Sequence, residues 1–310
     1  MIYVYMNGRL GNQLFRYAFS RQLHKHNPKE QIVYNFDAIY RQHHCANDGY
    51  ENMLKELNTK GTEVQDEANY SVIQYAVWKV FNRFYPRSGS FYSQNRYERK
   101  WIPIMKFFGM YFFTLGYVQF PLKKPWWIKN LIVNGAFESD KYLEGLSDEL
   151  QKDFVPKCPL DIRNNDLMDV IKHTNSVAIC VRRGDYVDVH PIKDRYFVCD
   201  KMYYERAMSE ILKQVTNPVF IFFSNDIQWV KNTIKIDGYP CYYESGNNPV
   251  WETLKLMSSC KHFIISNSTL HWLGQYLSKS KNKVVIAPSR WYNDDFKSDL
   301  YQDNWTLIDV

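Results

Sequence analysis

The chain has 310 residues, of which 45 % are apolar and 23 % charged, the make-up of a soluble globular protein of about two domains, which excludes disorder over any long stretch. It carries 39 Lys and Arg against 33 Asp and Glu, a net charge of +6, which suits a partner bearing phosphates, such as a nucleoside diphosphate or an anionic lipid surface. The basic residues read as dispersed rather than gathered in one arm, so a nucleic-acid partner is not expected.

An apolar run over residues 2–6 predicts a first strand, without the basic start and long apolar region of a secretory signal. Asn7-Gly8-Arg9-Leu10-Gly11-Asn12-Gln13 follows as a glycine-punctuated turn. Leu14, Tyr17, Ala18 and Leu23 then recur at near-helical spacing until Asn27-Pro28 stops the pattern. Residues 31–35 predict a second strand, which completes a βαβ start. Residues 40–130 have no clear period and read as helices and irregular insertions rich in aromatic and basic residues. Within them, 101–120 is apolar over about the length of a spanning helix. Lys106, Gln119, Pro103 and two glycines make it a poor match, and its aromatics favour strand. Residues 131–137 predict a strand, and 152–163, with Pro156 and Pro159, a linker.

The second half alternates more regularly. Strands are predicted at 176–181, 218–223, 262–266 and 283–287, with helices from Ile227 and up to Leu277. Three of these strands end in small polar residues, and ligands of open α/β sheets sit at the carboxyl ends of strands. The expected division is a first domain over 1–160 and a second over 161–310.

Arg182-Arg183-Gly184-Asp185-Tyr186 closes an apolar strand. Two arginines there cost desolvation unless something anionic answers them, and a guanidinium fork suits a diphosphate. The alternative is a salt-bridged pair that holds a turn. Ser266-Asn267-Ser268-Thr269 precedes a helix, where hydroxyls serve as N-caps or help the helix N-terminus hold a phosphate. The N-terminal turn lacks a P-loop lysine and the dinucleotide spacing, so ATPase and dehydrogenase functions are poor fits. His24, His26, His43 and His44 form no metal pattern, and no G-x-S-x-G elbow is present. Cys45, Cys158, Cys180, Cys199, Cys241 and Cys260 form no C-x-x-C pair, which points to a reducing compartment.

Together these motifs resemble glycosyltransferase family 11, the α-1,2-fucosyltransferases. The turn from Gly8 to Gln13 is similar to the family's G-R-L/M-G-N-Q, and Arg182 to Tyr186 to most of its H-x-R-R-G-D-Y. Phe223-Ser224-Asn225-Asp226 with Trp229 resembles F-S-D/N-D-x-x-W. The stretches from Leu256 to His262 and from Asn267 to Trp272 resemble L-M-S-x-C-K-H and N-S-T/S-F-S-W, and Ile286 to Trp291 the closing strand. The likeness runs from residue 2 to about residue 292, with a divergent middle.

The resemblance implies an α/β, GT-B-like fold of two facing Rossmann-like domains with a cleft between them. It implies a GDP-fucose donor bound mainly by the second domain, inversion at the anomeric carbon, and no metal or other cofactor. Arg182 and Arg183 are then expected at the diphosphate, helped by Asn267, Ser268 and Thr269. Asn12, with Arg9, is expected to face the cleft from the first domain and to join Arg182, Arg183 and Asp185 in catalysis, while Gly8, Arg9 and Gly11 are expected at the donor with Cys180, Ser224, Asn225, Asp226 and Glu252. Asp185, Asp226 and Glu138 are candidate bases. The implied acceptor is a sugar hydroxyl, O2 of a galactose-type residue, on a free or lipid-linked glycan. A cytoplasmic location goes with this, with room for peripheral attachment to the inner membrane. Two departures bear on the donor: Cys180 stands where the signature has histidine, and Thr253, beside Glu252, where it has an acid. Another nucleotide or 6-deoxy sugar therefore stays open, as does a non-catalytic glycan-binding role.

Overall fold

The computed structural model describes residues 1–42, 50–64 and 70–310. His43, His44 and Cys45 lie outside the described residues. Two compact units divide the chain: Met1–Val155 with Asp294–Leu300, and Pro156–Asn293 with Tyr301–Val310.

The first unit runs β1 (Ile2–Tyr5), α1 (Leu10–His26), β2 (Ile32–Asn35), α2 (Asp37–Gln42), β3 (Thr62–Val64), α3 (Val72–Arg83), α4 (Phe91–Phe107), β4 (Met110–Tyr111), β5 (Leu131–Val133) and α5 (Ser147–Asp153). Its sheet has the order β3-β2-β1-β5-β4, with every pairing parallel. Parallel strands covered on both faces read as continuous apolar runs, which is why β1 and β2 are visible in the sequence. α1 is buried nearly all round, Gln13, Arg16, Ser20, Arg21 and Gln22 included, so its polar residues serve the interior.

The segment 101–120 falls in the region expected to hold helices and irregular insertions, and it does. It continues α4 to Phe107, and only Met110–Tyr111 pairs in the sheet. Ser90 caps α4 by accepting from Ser93 N, and Phe91, Gln94, Asn95, Glu98, Ile102 and Met105 form its buried side, a helical spacing that overrides the local β preference. Among the described residues, no helix is long and apolar enough to cross a membrane. β5 ends at Val133, short of the predicted residue 137, and the chain beyond it passes through Phe137 at φ 56°.

The second unit runs α6 (Ile162–His173), β6 (Asn175–Val181), α7 (Asp185–Asp188), α8 (Ile192–Tyr196), α9 (Lys201–Ile211), β7 (Pro218–Ser224), α10 (Ile227–Thr233), β8 (Cys241–Tyr243), α11 (Val250–Ser258), β9 (His262–Ile264), α12 (Thr269–Leu277), β10 (Val285–Pro288) and β11 (Thr306–Ile308). The parallel order β11-β10-β9-β6-β7-β8 is the Rossmann arrangement. Counted from β6, the chain builds outward to β8 on one side, then returns to build β9 to β11 on the other. The switch point lies between β6 and β9, at their carboxyl ends, where such sheets bind ligands. Val177, Ile179 and Val181 pack with Tyr203, Tyr204 and Met208 of α9 and fix the strand that carries the arginines.

Candidate active site

The β6 strand stops at Val181, and the chain turns at Gly184 with φ +50°; a Cβ there would overlap the Asn225 amide, so the turn requires glycine. Beyond the strand end the two arginines turn toward opposite neighbours of β6. Arg183 goes to the β7 side. Its N–H donates to Asn225 Oδ1 at 2.9 Å, its Nε to Asp226 Oδ2 at 3.2 Å, and its guanidinium lies 3.8 Å from the Trp229 ring centre. Asp226 also caps α10 by accepting from Trp229 N at 3.1 Å, and its own N–H donates to Ser224 Oγ at 2.9 Å. Ser224, Asn225 and Asp226 thus hold Arg183 and the start of α10.

Arg182 goes to the β9 side. Its Nη2 donates to Asp185 Oδ1 at 2.6 Å and its guanidinium lies 5.4 Å from the Tyr186 ring centre. Its charge also reaches His271 in the first turn of α12: burial, then Arg182, lower that imidazole to about 3. His271 is therefore neutral, and its Nδ1 lies 2.8 Å from Ser266 Oγ. This buried pair has no counterpart in the sequence analysis, since a lone histidine on an apolar helix gives no signal of its partner.

The loop into α12 divides its labour. Asn267 is buried, and its amide donates to the Tyr196 and Trp291 carbonyls at 2.8 Å each; the side chain anchors the loop. Ser268 makes no cap hydrogen bond from its side chain. The capping alternative is not taken there, and the α12 N-terminus keeps a dipole and amide groups that suit an anion. Thr269 opens the helix.

Cys180 and Glu252 lie inside the unit. Cys180 is fully buried in β6, and burial raises its thiol pKa well above the ordinary range. Glu252 accepts from Asn164 Nδ2 at 2.8 Å and from Asp161 N at 2.5 Å, which ties α11 to the start of α6. Thr253 Oγ1 donates to Glu244 at 3.3 Å. Glu244 also accepts from Gly246 N at 2.9 Å and from Asn248, and burial raises its carboxyl pKa. Nothing in the sequence around Glu244 signals this role.

In the first unit the turn after β1 is pinned by fully buried Gln13, whose Nε2 donates to Gly8 O at 3.0 Å and Glu51 O at 2.8 Å while its Oε1 accepts from Met53 N at 3.1 Å. Gly8 has φ +70°, with Asn12 packed against it. Gly11 is buried, and Arg9 lies 5.4 Å from the Tyr50 ring centre. β5 pairs with β1, and Glu138 follows it directly after Phe137, a bulky residue at positive φ, which is a costly conformation. Glu138 has no hydrogen-bond partner among the described residues. Burial pushes its carboxyl up to about 7, opposed by the charge of Arg16. Arg16 is 6 % exposed, donates Nε to Tyr5 O at 3.1 Å, and leaves Nη1 without a partner. Among the described residues no three of His, Cys, Asp and Glu converge.

Two parallel Rossmann-like sheets, the second with two arginines after β6 at its switch point, make a GT-B-like architecture. The chain belongs to glycosyl transferase family 11, whose model matches residues 112–309. It is 26 % identical to an alpha-1,2-colitosyltransferase of Escherichia coli over 97 % of both chains. It is 31 % identical over 104 residues to human galactoside alpha-(1,2)-fucosyltransferase 1, covering 33 % of this chain and 28 % of that one. Its fold is like that of the fucosyltransferase NodZ from Bradyrhizobium, with a TM-score of 0.50 at 8 % identity, over 89 % of this chain and 91 % of that one. At that identity the likeness concerns the fold alone.

Proposed function

We propose that the chain transfers L-fucose from GDP-β-L-fucose, with inversion, to O2 of a galactose-type residue on a glycan acceptor. The observation that carries this reading is Arg182 beside the start of α12, whose Ser268 makes no side-chain cap, at the switch point of the second sheet, in a chain whose family includes α-1,2-fucosyltransferases. Departure of GDP builds charge on the β-phosphate. The Arg182 guanidinium and the helix N-terminus, with Ser268 and Thr269, stabilise that charge without a metal. Arg183 braces the loop through Asp226 and Trp229.

Of the three candidate bases, Asp185 and Asp226 are each held by an arginine. Glu138 has no such partner, and its pKa of about 7 matches general-base work near neutral pH. We assign it the acceptor proton. The hydroxyl oxygen bonds to the anomeric carbon, the carbon–oxygen bond to the β-phosphate breaks with its electron pair leaving on GDP, and the hydroxyl proton passes to the base.

A second reading keeps the chemistry and changes the sugar to another deoxyhexose. Cys180 and Thr253, with the similarity to a colitosyltransferase, favour it. Thermal unfolding tests the donor class: a ligand that binds only the native state raises apparent stability by mass action. GDP-fucose is expected to raise Tm more than any UDP- or CDP-sugar; a shift with UDP-sugars alone removes the fucosyltransferase reading.

A further inference from the structure

The first unit carries a basic, acid-poor stretch. Between residues 71 and 137 there are ten Lys and Arg and a single acid, Glu98, a net charge of +9 where the whole chain has +6. Glu98 is itself buried. The basic residues are only slightly denser here than elsewhere in the chain; the net charge is concentrated because acids are almost absent.

Three segments of this stretch meet. Gln74, at the start of α3, donates Nε2 to Phe108 O at 2.8 Å and Asn130 O at 3.0 Å. This ties α3 to the end of α4 and to the loop ahead of β5. Trp127 Nε1 donates to Phe107 O at 3.2 Å, and the rings of Phe107 and Trp126 lie 6.3 and 5.7 Å from that of Trp127. Around these ties Val72, Ile73, Phe107, Trp126 and Trp127 stand in water, Trp126 91 % exposed and Val72 87 %. The exposed Lys123 and Lys129 flank the indole pair.

We infer that this face of the first unit docks on an anionic lipid bilayer. Indole rings are at home at a membrane interface, with the apolar ring toward the acyl boundary and the N–H toward the headgroups. Lysines around them meet lipid phosphates, each adding to the attraction. A second copy of this chain fits worse, because a two-fold contact through the patch sets like charges against each other and the stretch offers no exposed acid to answer them.

Co-sedimentation tests the proposal, using vesicles of phosphatidylcholine alone and of phosphatidylcholine mixed with phosphatidylglycerol. The protein is expected to pellet with the mixed vesicles, to stay largely in solution with the neutral ones, and to release as salt rises. Trp126→Ala with Trp127→Ala, and separately Lys123→Glu with Lys129→Glu, should each weaken binding about tenfold or more. Circular dichroism and Tm should stay at wild-type values, so the outcome is independent of the transferase reading. Protein that stays in solution with both vesicles, or variants that bind like wild type, overturns the proposal. So does equal binding to neutral and anionic vesicles. A concentration-dependent dimer lost in the tryptophan variant, without vesicle binding, assigns the face to a second copy and overturns it equally.

Discussion

The two sheets present their polar groups at the same place, the carboxyl ends beside the first strand of each, but in opposite states. After β6 the charges are paired: Arg182 with Asp185 at 2.6 Å and Arg183 with Asp226 at 3.2 Å. After β5 they are not: Glu138 has no hydrogen bond among the described residues, and Arg16 leaves one buried nitrogen unpartnered. Pairing fixes a charge in position. Desolvation without pairing holds a group near its titration point. The first arrangement suits a group that must stay charged while a diphosphate leaves; the second suits one that must take up a proton and give it back.

The contrast predicts which variants hurt most. Arg182→Ala should cost on the order of 3 kcal/mol in the barrier, a fall in kcat of roughly a hundredfold or more. Arg182→Lys should recover little, because an ammonium lacks the planar fork. Steady-state kinetics at saturating donor on variants that fold by circular dichroism would check this; more than a third of wild-type turnover in Arg182→Ala would break the contrast.

Glu138→Gln should follow, with kcat down by about two orders of magnitude and the GDP-fucose thermal shift intact. Wild-type kcat should rise as pH passes through about 7, and the variant should lose that rise. The same substitution should stabilise the fold. The folded-state carboxyl pKa is raised above its unfolded value, so its contribution to stability is full below the unfolded pKa and is lost as pH rises through about 7. Glutamine never ionises, so the variant should gain on the order of 2–3 kcal/mol over wild type at pH 8 and nothing at pH 4. Denaturant unfolding at the two pH values measures the difference. Equal stability at both would mean that Glu138 is solvated, and the first sheet would lose its distinctive state.

Arg183→Ala should give the smallest effect on chemistry. Its pair with Asp226 and its stacking on Trp229 are partly exposed, and losing them should cost about 1 kcal/mol of stability with kcat reduced far less than in Arg182→Ala. Parallel kinetics and urea unfolding would separate the two; equal kcat losses would make the pair a single unit rather than a phosphate ligand and a brace.

Much of this was legible in the sequence, for physical reasons that also mark its limits. β1, β6 and β7 are buried on both faces and read as unbroken apolar runs. Gly8 and Gly184 mark turns at positive φ, which glycine adopts without strain. The edge strands β3, β4, β8 and β11 have two or three residues each, too few for any period. α4 was hidden by its aromatics and Pro103, with Ser90 as its only terminal signal. Within the site, the division between Arg182 and Arg183 depends on the α10 cap and on Trp229, whose positions only the folded chain fixes. Arg16 and Glu244 were missed because a polar residue on a buried face is visible only once burial on all sides is known.

The account rests on the donor, and a donor screen tests it most directly. The protein is incubated with a galactoside acceptor and, separately, GDP-fucose, GDP-mannose, UDP-galactose, UDP-glucose and CDP-sugars, and release of free nucleotide diphosphate is followed. GDP release that requires both GDP-fucose and the acceptor, and that falls by roughly two orders of magnitude in Arg182→Ala, is the predicted result. Turnover with a UDP-sugar and none with any GDP-sugar would contradict it.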